Sequence, residues 1–356
     1  MPESINVGVV GYGFAGRRFH SYLIKKAEGL NLYAVASRDE GRRQQAQKDY
    51  GVKTFATLEE MLDDKKVQLV VIATPHNTHE ELCIQAMNAK RHVVTDKIMC
   101  MTVEEADRMI AAAKRNKVFF SVFHNRRWDG DFNTIRKVID EGLLGRVFQI
   151  ESSVGSYGFA RRGWRGDKEQ AGGHLYDWGA HMVDHALLFC GGAGKARVES
   201  VYATSEFRKW DITVESHVRA QINFKDSGGN TGGLRFMIEV SRLCRIPKPR
   251  GFVLGEEGTL VKEGLEPQER FMLAGNIEAA KDDPQNYARV KTTLNGVEVQ
   301  MTIETQPGNW KAYYQNVADV LLKGAKPAVR PEEAREVVRI VNAGMRAVET
   351  GKAVRL

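Results

Sequence analysis

Cysteines and long apolar runs are both scarce in this chain, and each shortage excludes a class of protein. The longest apolar runs, such as residues 67–74, fall far short of the roughly 20 residues that cross a bilayer, so we expect no membrane-spanning helix. The first residues carry no basic run followed by an apolar stretch, so we expect no signal peptide. The four cysteines are widely spaced and form no CxxC pair, which indicates incidental thiols in the reducing cytoplasm; they are Cys83, Cys100, Cys190 and Cys244.

The chain also lacks a large excess of one charge. It has 52 Lys and Arg residues against 45 Asp and Glu residues, a formal net charge of +7. These charges are spread too evenly to predict a nucleic-acid-binding arm, and a phosphate-bearing small molecule is the simpler partner. Apolar residues make up 42% and charged residues 27%, as in ordinary globular proteins. At about 150 residues per domain, the 356 residues predict two domains.

Residues 1–123 alternate short apolar runs with amphipathic stretches. The runs predict strands at 5–10, 30–36, 68–73, 92–95 and 118–123. The stretches between them predict helices at 16–27, 42–50, 58–62, 80–89 and 102–116. Thr102 followed by Glu105 has the spacing of a capping box for the last of these helices. This alternation predicts an α/β fold with an open, doubly wound parallel sheet.

The pattern changes from about residue 146 to longer β-rich segments separated by Gly-rich turns. These segments predict strands at 147–154, 198–207, 214–224, 234–240, 252–261 and 290–303. The glycines of 228–233 indicate a hairpin turn, because no helix follows them. Two amphipathic helices, 310–322 and 331–350, end the chain. We therefore predict a nucleotide-binding domain at 1–123 and a second α/β domain at 124–356 with a largely antiparallel, open sheet.

A GxGxxG motif stands between the first predicted strand and the first predicted helix: Gly11-Tyr12-Gly13-Phe14-Ala15-Gly16. Gly11 allows a tight turn, Gly13 lets the backbone approach a pyrophosphate, and Gly16 lets the helix pack close to the strand. Amides at the helix N-terminus then face the phosphates. The alternative is a purely structural turn, but the position before five βα units favours dinucleotide binding.

The end of the second strand selects between NAD and NADP in this kind of fold. An Asp or Glu there would bind the ribose 2′-hydroxyl of NAD. This sequence instead has Ser37 and Arg38, a hydroxyl and a guanidinium that suit the 2′-phosphate of NADP. We favour NADP, although Asp39 could reach the ribose and Arg38 could stack on adenine with either cofactor.

A polar segment follows the third predicted strand at the carboxyl edge of the sheet, where ligands bind in such folds. Its candidate cofactor-binding residues are Thr74, Pro75, His76, Asn77 and His79. The alternative interpretation is a helix cap at Asn77 or Thr78.

The motifs together resemble the Gfo/Idh/MocA family of sugar and polyol dehydrogenases, which includes glucose–fructose oxidoreductase and inositol dehydrogenase. The resemblance covers nearly the whole chain and includes the glycine loop, the 74–79 segment, 92–97, 172–184 and the 351–354 ending. Residues 124–129 and 264–269 resemble a branch with NADP-dependent scyllo-inositol dehydrogenases.

The family resemblance implies an N-terminal Rossmann domain and a C-terminal domain whose open sheet carries the substrate and often the oligomer contact. It implies a reactive centre in the cleft between the domains. The family's Glu-Lys-Pro lysine corresponds to Lys97, and its Asp and His pair corresponds to Asp177 and His181. The motif here departs from the family, since Asp96 replaces the glutamate and Ile98 replaces the proline.

Three of these side chains suit hydride transfer to or from an alcohol, which also requires a proton acceptor on the oxygen. We assign His181 as the general acid/base, Asp177 as its orienter and a substrate-hydroxyl acceptor, and Lys97 as the electrostatic group. Lys97 could instead carry out the proton transfer. The alternative for Lys97 is a surface ammonium group paired with Asp96. Asp96 is itself a further candidate for cofactor binding. Asp177, His181 and His185 also recur at metal-ligand spacing, but hydride transfer needs no metal and we predict none.

The remaining candidates flank these groups. Asn125 follows the fifth strand and is the candidate for the nicotinamide amide. The loop 157–170 is rich in aromatic and guanidinium groups, which stack on sugars and bind hydroxyls or carboxylates; a solvated basic loop is the alternative. The predicted substrate-binding residues are Arg127, Tyr157, Trp164, Arg165, His174, Asp177 and His181, with Arg161 and Arg162 in the same loop.

We therefore predict an NAD(P)-dependent oxidoreductase, NADP preferred, that moves a hydride between the nicotinamide and a ring hydroxyl or keto carbon of a cyclitol, sugar or glycoside. One alternative is a glycoside-cleaving enzyme with a tightly held cofactor, which oxidises the ring transiently and eliminates the aglycone. Another is a dinucleotide-binding regulatory protein without turnover. The expected partners are a small sugar or polyol and further copies of the chain, as a homodimer or homotetramer, without nucleic acid or membrane.

Overall fold

The computed structural model describes residues 4–158, 163–210 and 212–356. The strands in chain order are β1 (Ile5–Val10), β2 (Leu30–Ala36), β3 (Lys53–Phe55), β4 (Leu69–Ile72), β5 (His92–Thr95), β6 (Phe120–Val122), β7 (Val147–Gly155), β8 (Val198–Glu206), β9 (His217–Phe224), β10 (Arg235–Ser241), β11 (Gly251–Gly255), β12 (Gly258–Lys262), β13 (Ala288–Leu294), β14 (Val297–Ile303) and β15 (Val354–Arg355).

Helices of very different length connect these strands. In chain order they are α1 (Ser21–Lys26), α2 (Glu40–Tyr50), α3 (Leu58–Asp63), α4 (His79–Asn88), α5 (Val103–Asn116), α6 (Gly130–Asp140), α7 (Lys168–Ala171), α8 (His174–Phe189), α9 (Gln268–Leu273), α10 (Lys311–Lys323) and α11 (Pro331–Thr350). A π-helical segment, Ala15–His20, runs directly into α1. Short 3₁₀ turns lie at His76–Thr78, Asn125–Trp128, Trp164–Gly166, Ile277–Ala279 and Pro284–Asn286. In the described ranges, every helix is too short or too polar to cross a membrane.

The first compact unit contains a six-stranded sheet in the order β3-β2-β1-β4-β5-β6. Its paired strands are all parallel. The central strands β1 and β4 are almost completely buried, as expected for a sheet covered on both faces. The strand order is that of the Rossmann fold, which confirms the predicted doubly wound sheet.

Local sequence signals define several helices of this unit. Thr102 and Glu105 form the predicted capping box, because each side chain accepts a hydrogen bond from the other residue's backbone amide. Helix α2 begins at Asp39, whose carboxylate accepts the Arg42 amide, and ends at Gly51 in the left-handed region.

The second compact unit contains a nine-stranded sheet in the order β14-β13-β12-β11-β7-β10-β9-β8-β15. The β7 and β10 strands pair in parallel, and the other recorded pairs are antiparallel. Strands β8 and β9 alternate buried and exposed side chains, so one face of the sheet carries the core. Helix α8 packs on β9 and β10. The predicted largely antiparallel open sheet is confirmed.

The two units are not continuous segments of the chain. The first contains the residues up to Asn125 together with Trp310–Val338, and the second contains Arg126–Asn309 and Arg339–Leu356. The sequence prediction places all residues after 123 in the second domain, whereas 310–338 group with the first unit here. Helix α10 belongs to the first unit because it contacts the parallel sheet: Tyr313 on this helix donates a hydrogen bond to Ser121 on β6.

Several elements differ from the predicted ones. The predicted helices omit α6, although its buried Phe132, Ile135, Val138 and Ile139 recur at helical spacing. Strand β3 was also missed, because three residues are too few to show a period. The single strands predicted at 252–261 and 290–303 are each a hairpin, β11–β12 and β13–β14. The predicted turn at 228–233 lies between the antiparallel strands β9 and β10, as expected.

Candidate active site

The glycine loop after β1 is an open backbone cradle. Gly11 has φ +90°, a region that favours glycine, and a Cβ there would lie 2.4 Å from the Ala73 carbonyl oxygen. A Cβ on Gly16 would lie 1.9 Å from the Gly11 carbonyl oxygen, so the helix can approach this closely only without a side chain. At Gly13 the nearest described atom to such a Cβ is Arg42 Nη1, 3.8 Å away. The loop therefore leaves room beside Gly13 for a pyrophosphate.

The two other residues of the motif are less enclosed. Phe14 is 44% exposed and its ring meets Phe19 edge-on, with 5.7 Å between the centroids. Ala15 is half-buried and begins the π-helical segment.

Basic side chains gather at the end of β2. Arg38 and Arg42 are exposed and Ser37 is half-buried. Arg43 donates to the carbonyl oxygens of Ser37 and Arg38, at 2.7 Å and 3.1 Å. Asp39, the carboxylate that could bind a ribose, caps α2 instead. Sequence reasoning identified Ser37 and Arg38 but missed Arg42, which the first turn of α2 brings to the glycine loop.

A half-buried contact joins the glycine loop to α2. The Tyr12 hydroxyl donates to Asp49 at 2.9 Å, and Arg17 donates to the same carboxylate at 2.7 Å. Burial opposes ionisation of Asp49, but its hydrogen bonds from Arg17, Tyr12 and Gln45 outweigh burial and lower its pKa. These contacts hold the loop against the helix that carries Arg42.

The segment after β4 divides into exposed and buried side chains. Asn77 is exposed and His76 is buried, with its ring 5.7 Å from that of His79. Thr78 donates to the Pro75 carbonyl and contacts Thr74 Oγ1, each at 2.7 Å. Thr78 precedes α4, but its side chain makes no cap hydrogen bond. His79 is fully buried, and its ring nitrogens lie near the carbonyl oxygens of Ile98 and Thr74, at 2.9 Å and 3.0 Å.

Lys97 follows β5 and is half-buried. Asp96 beside it is buried, and its carboxylate accepts the Lys97 amide at 2.8 Å. The peptide bond between Lys97 and Ile98 is cis. Asn125 follows β6 and is 3% exposed, and its amide nitrogen has no hydrogen-bond partner within 4–158, 163–210 and 212–356. A buried amide of this kind calls for a ligand acceptor.

Helix α8 carries the predicted Asp and His pair. Asp177 and His181 are four residues apart and therefore share one face. His181 is 6% exposed and Asp177 is half-buried. The Trp178 ring meets His181 edge-on, with 6.1 Å between the centroids. His181 is thus largely shielded from bulk water while Asp177 stays accessible, an arrangement that suits a proton-transfer group.

The next turn of α8 carries Asp184 and His185, which contact other residues of the second unit. Arg127 forms a two-point ion pair with buried Asp184, at 2.6 Å and 2.8 Å. His185 Nε2 lies 2.8 Å from the Arg126 carbonyl oxygen, and its ring stacks on Phe132. Burial, reinforced by Arg250, lowers the pKa of His185 to about 4. These contacts fully account for His185 as a packing residue.

The remaining predicted substrate residues lie near the start of α8 or in the loop before it. His174 is half-buried, and its amide donates to Glu215 at 2.6 Å. The Arg165 guanidinium lies 4.3 Å from the centre of the Trp164 ring. Tyr157 is 39% exposed beneath the Arg245 guanidinium, 3.6 Å from the ring centre. Arg161 and Arg162 lie outside the described residues.

Within the described ranges, one group of acidic side chains has metal-ligand spacing: Asp129, Asp131 and Glu266. Arg126 donates to Asp129 at 3.0 Å, and Arg250 donates to Asp131 at 2.9 Å. Each aspartate is therefore already neutralised by a buried guanidinium. These acids stabilise the second unit and give no reason to invoke a cation.

Comparison with known proteins decides the family. Residues 5–124 match the model of the Gfo/Idh/MocA oxidoreductase family with its NAD-binding Rossmann fold, and residues 132–261 match the family's C-terminal domain. The chain belongs to the Gfo/Idh/MocA family. Like that family, it is an NAD(P)-dependent oxidoreductase, and the open glycine cradle and the buried Asn125 amide are suited to the cofactor.

Relatives within the Gfo/Idh/MocA family extend the match to the whole chain. The scyllo-inositol 2-dehydrogenase (NADP⁺) IolW of Bacillus subtilis is 30% identical, over 99% of this chain and 96% of that protein. The myo-inositol 2-dehydrogenase of Thermotoga maritima is 30% identical over 42% of this chain and 45% of that protein. The structure of the Bacillus subtilis protein yvaA, described as an oxidoreductase, superimposes with a TM-score of 0.90 at 28% identity over 99% of both chains.

Proposed function

We propose that this enzyme uses NADP to oxidise a ring hydroxyl of a cyclitol or sugar, or to reduce the corresponding ketone. The observation that carries the proposal is the open cradle at Gly13 with Arg42 beside it. The whole-length similarity to a scyllo-inositol 2-dehydrogenase (NADP⁺) supports the cofactor and the substrate class.

The residues that would hold the cofactor lie in the first unit. The backbone of the glycine loop would bind the pyrophosphate, as the lack of a side chain at Gly13 allows. Ser37, Arg38 and Arg42 would bind the 2′-phosphate, because guanidinium groups form charge-assisted hydrogen bonds with it. The Asn125 amide would donate to the carboxamide of the nicotinamide. When bound, the nicotinamide accepts or supplies the hydride.

Three side chains would handle the oxygen of the reacting carbon. During alcohol oxidation, His181 takes the hydroxyl proton, and it returns that proton when the ketone is reduced. Asp177, one turn before it on α8, orients the ring and stabilises its protonated form. The Lys97 ammonium stabilises negative charge on the oxygen as the carbonyl forms.

Absorbance at 340 nm with a panel of cyclitols, sugars and glycosides tests the proposal. We expect NADP reduction with at least one cyclitol or sugar, and His181→Asn is expected to lower kcat by about 10²-fold. His217→Asn, a half-buried histidine on β9, serves as the matched control and should leave kcat unchanged.

Three results would contradict the proposal. A His181→Asn variant with normal turnover would assign proton transfer to another group, with Lys97 the next candidate. Release of an aglycone without a lasting change at 340 nm would indicate glycoside elimination instead. Tight NADP binding without turnover of any panel member would favour a regulatory role.

A further inference from the structure

Lys97 is followed by isoleucine where the family motif has proline, so other contacts must hold its segment in place. Two buried histidines of the first unit flank this segment. His20, at the end of the π-helical segment, and His79, at the start of α4, are both fully buried. Neither belongs to the residues that handle hydride or proton in the proposed reaction.

His20 faces the residue before Lys97. Its Nε2 lies 3.7 Å from Asp96 Oδ2, and its Nδ1 lies 2.6 Å from the Tyr314 hydroxyl on α10. Burial keeps the Tyr314 hydroxyl protonated by raising its pKa well above the usual value. An ionised carboxylate can only accept, so Asp96 favours the imidazole proton on Nε2, and Nδ1 then accepts from the Tyr314 hydroxyl. His20 therefore contacts Asp96 on one side of its ring and Tyr314 on the other.

Asp96 in turn holds the backbone of Lys97, since its other oxygen accepts the Lys97 amide. Burial opposes ionisation of Asp96, but contacts with His20, Lys97 and His79 outweigh burial and lower its pKa. The carboxylate is thus charged, buried and directed by His20. A buried carboxylate that lost this partner would turn toward other donors.

His79 holds the residue after Lys97. Its Nδ1 lies 2.9 Å from the Ile98 carbonyl oxygen, and its Nε2 lies 3.0 Å from the Thr74 carbonyl oxygen. Burial lowers the pKa of His79, so the ring is neutral and donates to one of these carbonyls at a time. Ile98 itself is completely buried. His79 was predicted to bind the cofactor, yet its ring nitrogens face backbone on both sides.

We propose that His20 and His79 are positioning residues for Lys97: His20 acts through Asp96, and His79 acts through the Ile98 carbonyl. This inference rests on the proposed role of Lys97 at the substrate oxygen. The two histidines fix the backbone on either side of the lysine, so its ammonium group is presented in one direction. Displacement of a catalytic group by about 1 Å can reduce turnover about 10²-fold, so this support is functionally significant.

Paired substitutions distinguish a role of the two histidines in positioning Lys97 from a role in the stability of the protein. His79→Leu and His20→Leu remove the polar contacts with little loss of volume. His79→Asn keeps a donor near Nδ1, and His20→Gln keeps one near Nε2. We expect each leucine variant to lower kcat about tenfold or more, with the NADP Kd within about threefold, and each amide variant to recover most of kcat.

Two controls complete the kinetic test. Tyr314→Phe removes the hydroxyl that contacts His20 Nδ1 and should give an intermediate kcat. His92→Leu, on β5, removes the acceptor of the Phe119 amide in the same unit and should change the melting temperature but not kcat. Leucine variants of His20 and His79 that lose thermal stability but keep kcat would overturn the proposal.

A second readout does not depend on turnover. The lysines are reductively methylated with ¹³C-formaldehyde, and Lys97→Arg identifies the Lys97 resonance. We expect the leucine variants to shift that resonance and the amide variants to restore its wild-type position. An unshifted resonance would refute the positioning role even if the wild-type enzyme oxidised no tested alcohol. A shifted resonance in an inactive enzyme would instead leave the positioning role standing and refute the dehydrogenase assignment.

Discussion

The cofactor preference depends on a few side chains at the end of β2. The Asp39 carboxylate could bind a ribose hydroxyl, but it caps α2 instead. Arg42 Nε lies 3.6 Å from Asp39 Oδ2, and the Arg42 guanidinium also lies beside Gly13. A guanidinium in this place attracts the 2′-phosphate of NADP and offers nothing comparable to the hydroxyl of NAD.

Replacement of Arg42 by methionine tests this assignment. We expect Arg42→Met to raise the Kd for NADP about tenfold or more, because a charge-assisted hydrogen bond to phosphate is lost, and to leave the Kd for NAD almost unchanged. Titration of tryptophan fluorescence with each nucleotide measures both constants. Arg115→Met, an exposed arginine in the last turn of α5, is the matched control. Equal weakening of both nucleotides would remove Arg42 from the 2′-phosphate site.

At the scale of elements, helix α5 shows how much a local signal can determine. The Thr102 hydroxyl accepts the Glu105 amide at 3.2 Å, and the Glu105 carboxylate accepts the Thr102 amide at 3.3 Å. The same carboxylate also accepts the Met101 amide at 2.7 Å, in the segment that follows Lys97. The capping box therefore defines the start of α5 and connects it to the lysine segment.

Thr102→Ala should lower the free energy of unfolding by about 1 kcal/mol, because the Glu105 amide loses its acceptor at the helix N-terminus. Urea unfolding monitored by circular dichroism measures the change. Thr102→Ser keeps the hydroxyl and should retain most of the stability. An alanine variant as stable as the wild type would show that the cap contributes nothing here.

Other elements were not decided by local sequence. Residues 252–261 have the apolar content of one long strand, but the chain turns between β11 and β12 because each strand pairs with a different neighbour. Gly255 allows this turn, since a Cβ there would lie 2.1 Å from the Leu144 carbonyl oxygen. The close approach of Leu144, about 110 residues earlier, cannot be read from the local pattern.

At the scale of the whole molecule, buried charges determine how stability responds to pH. Burial, together with the neighbouring Asp131, raises the pKa of Glu266 to about 7, although the amides of Gly130 and Gln268 donate to its carboxylate. A carboxyl group with a raised folded pKa contributes its stability below the unfolded pKa, near 4.5, and loses it as the pH rises through the folded pKa.

We therefore expect the free energy of unfolding of the wild type to fall, relative to that of Glu266→Gln, as the pH rises from about 4.5 to 7. Denaturant unfolding at a series of pH values measures the difference, because glutamine cannot titrate. The exposed Glu199→Gln should follow the wild-type curve in parallel. Parallel curves for Glu266→Gln and the wild type would show that Glu266 titrates normally.

The nine-stranded sheet carries exposed apolar side chains that are relevant to contacts between copies of the chain. Phe148 on β7 and Tyr202 on β8 are 42% and 41% exposed, while the preceding residues, Val147 and Val201, are buried. Large apolar side chains on an exposed sheet face are common at contacts between copies of a chain. The homodimer or homotetramer stays a prediction.

The sequence by itself determined the features that depend on neighbouring residues. The glycine loop, the capping box and the alternation of strands and helices follow from local backbone freedom, hydrogen bonding and periodicity, and they were sufficient to predict the Rossmann sheet. Tertiary structure alone decided which distant groups meet. The contacts of His20 with Tyr314 and of His79 with Ile98 join residues whose separation along the chain carries no signal, because such contacts depend on how whole elements pack.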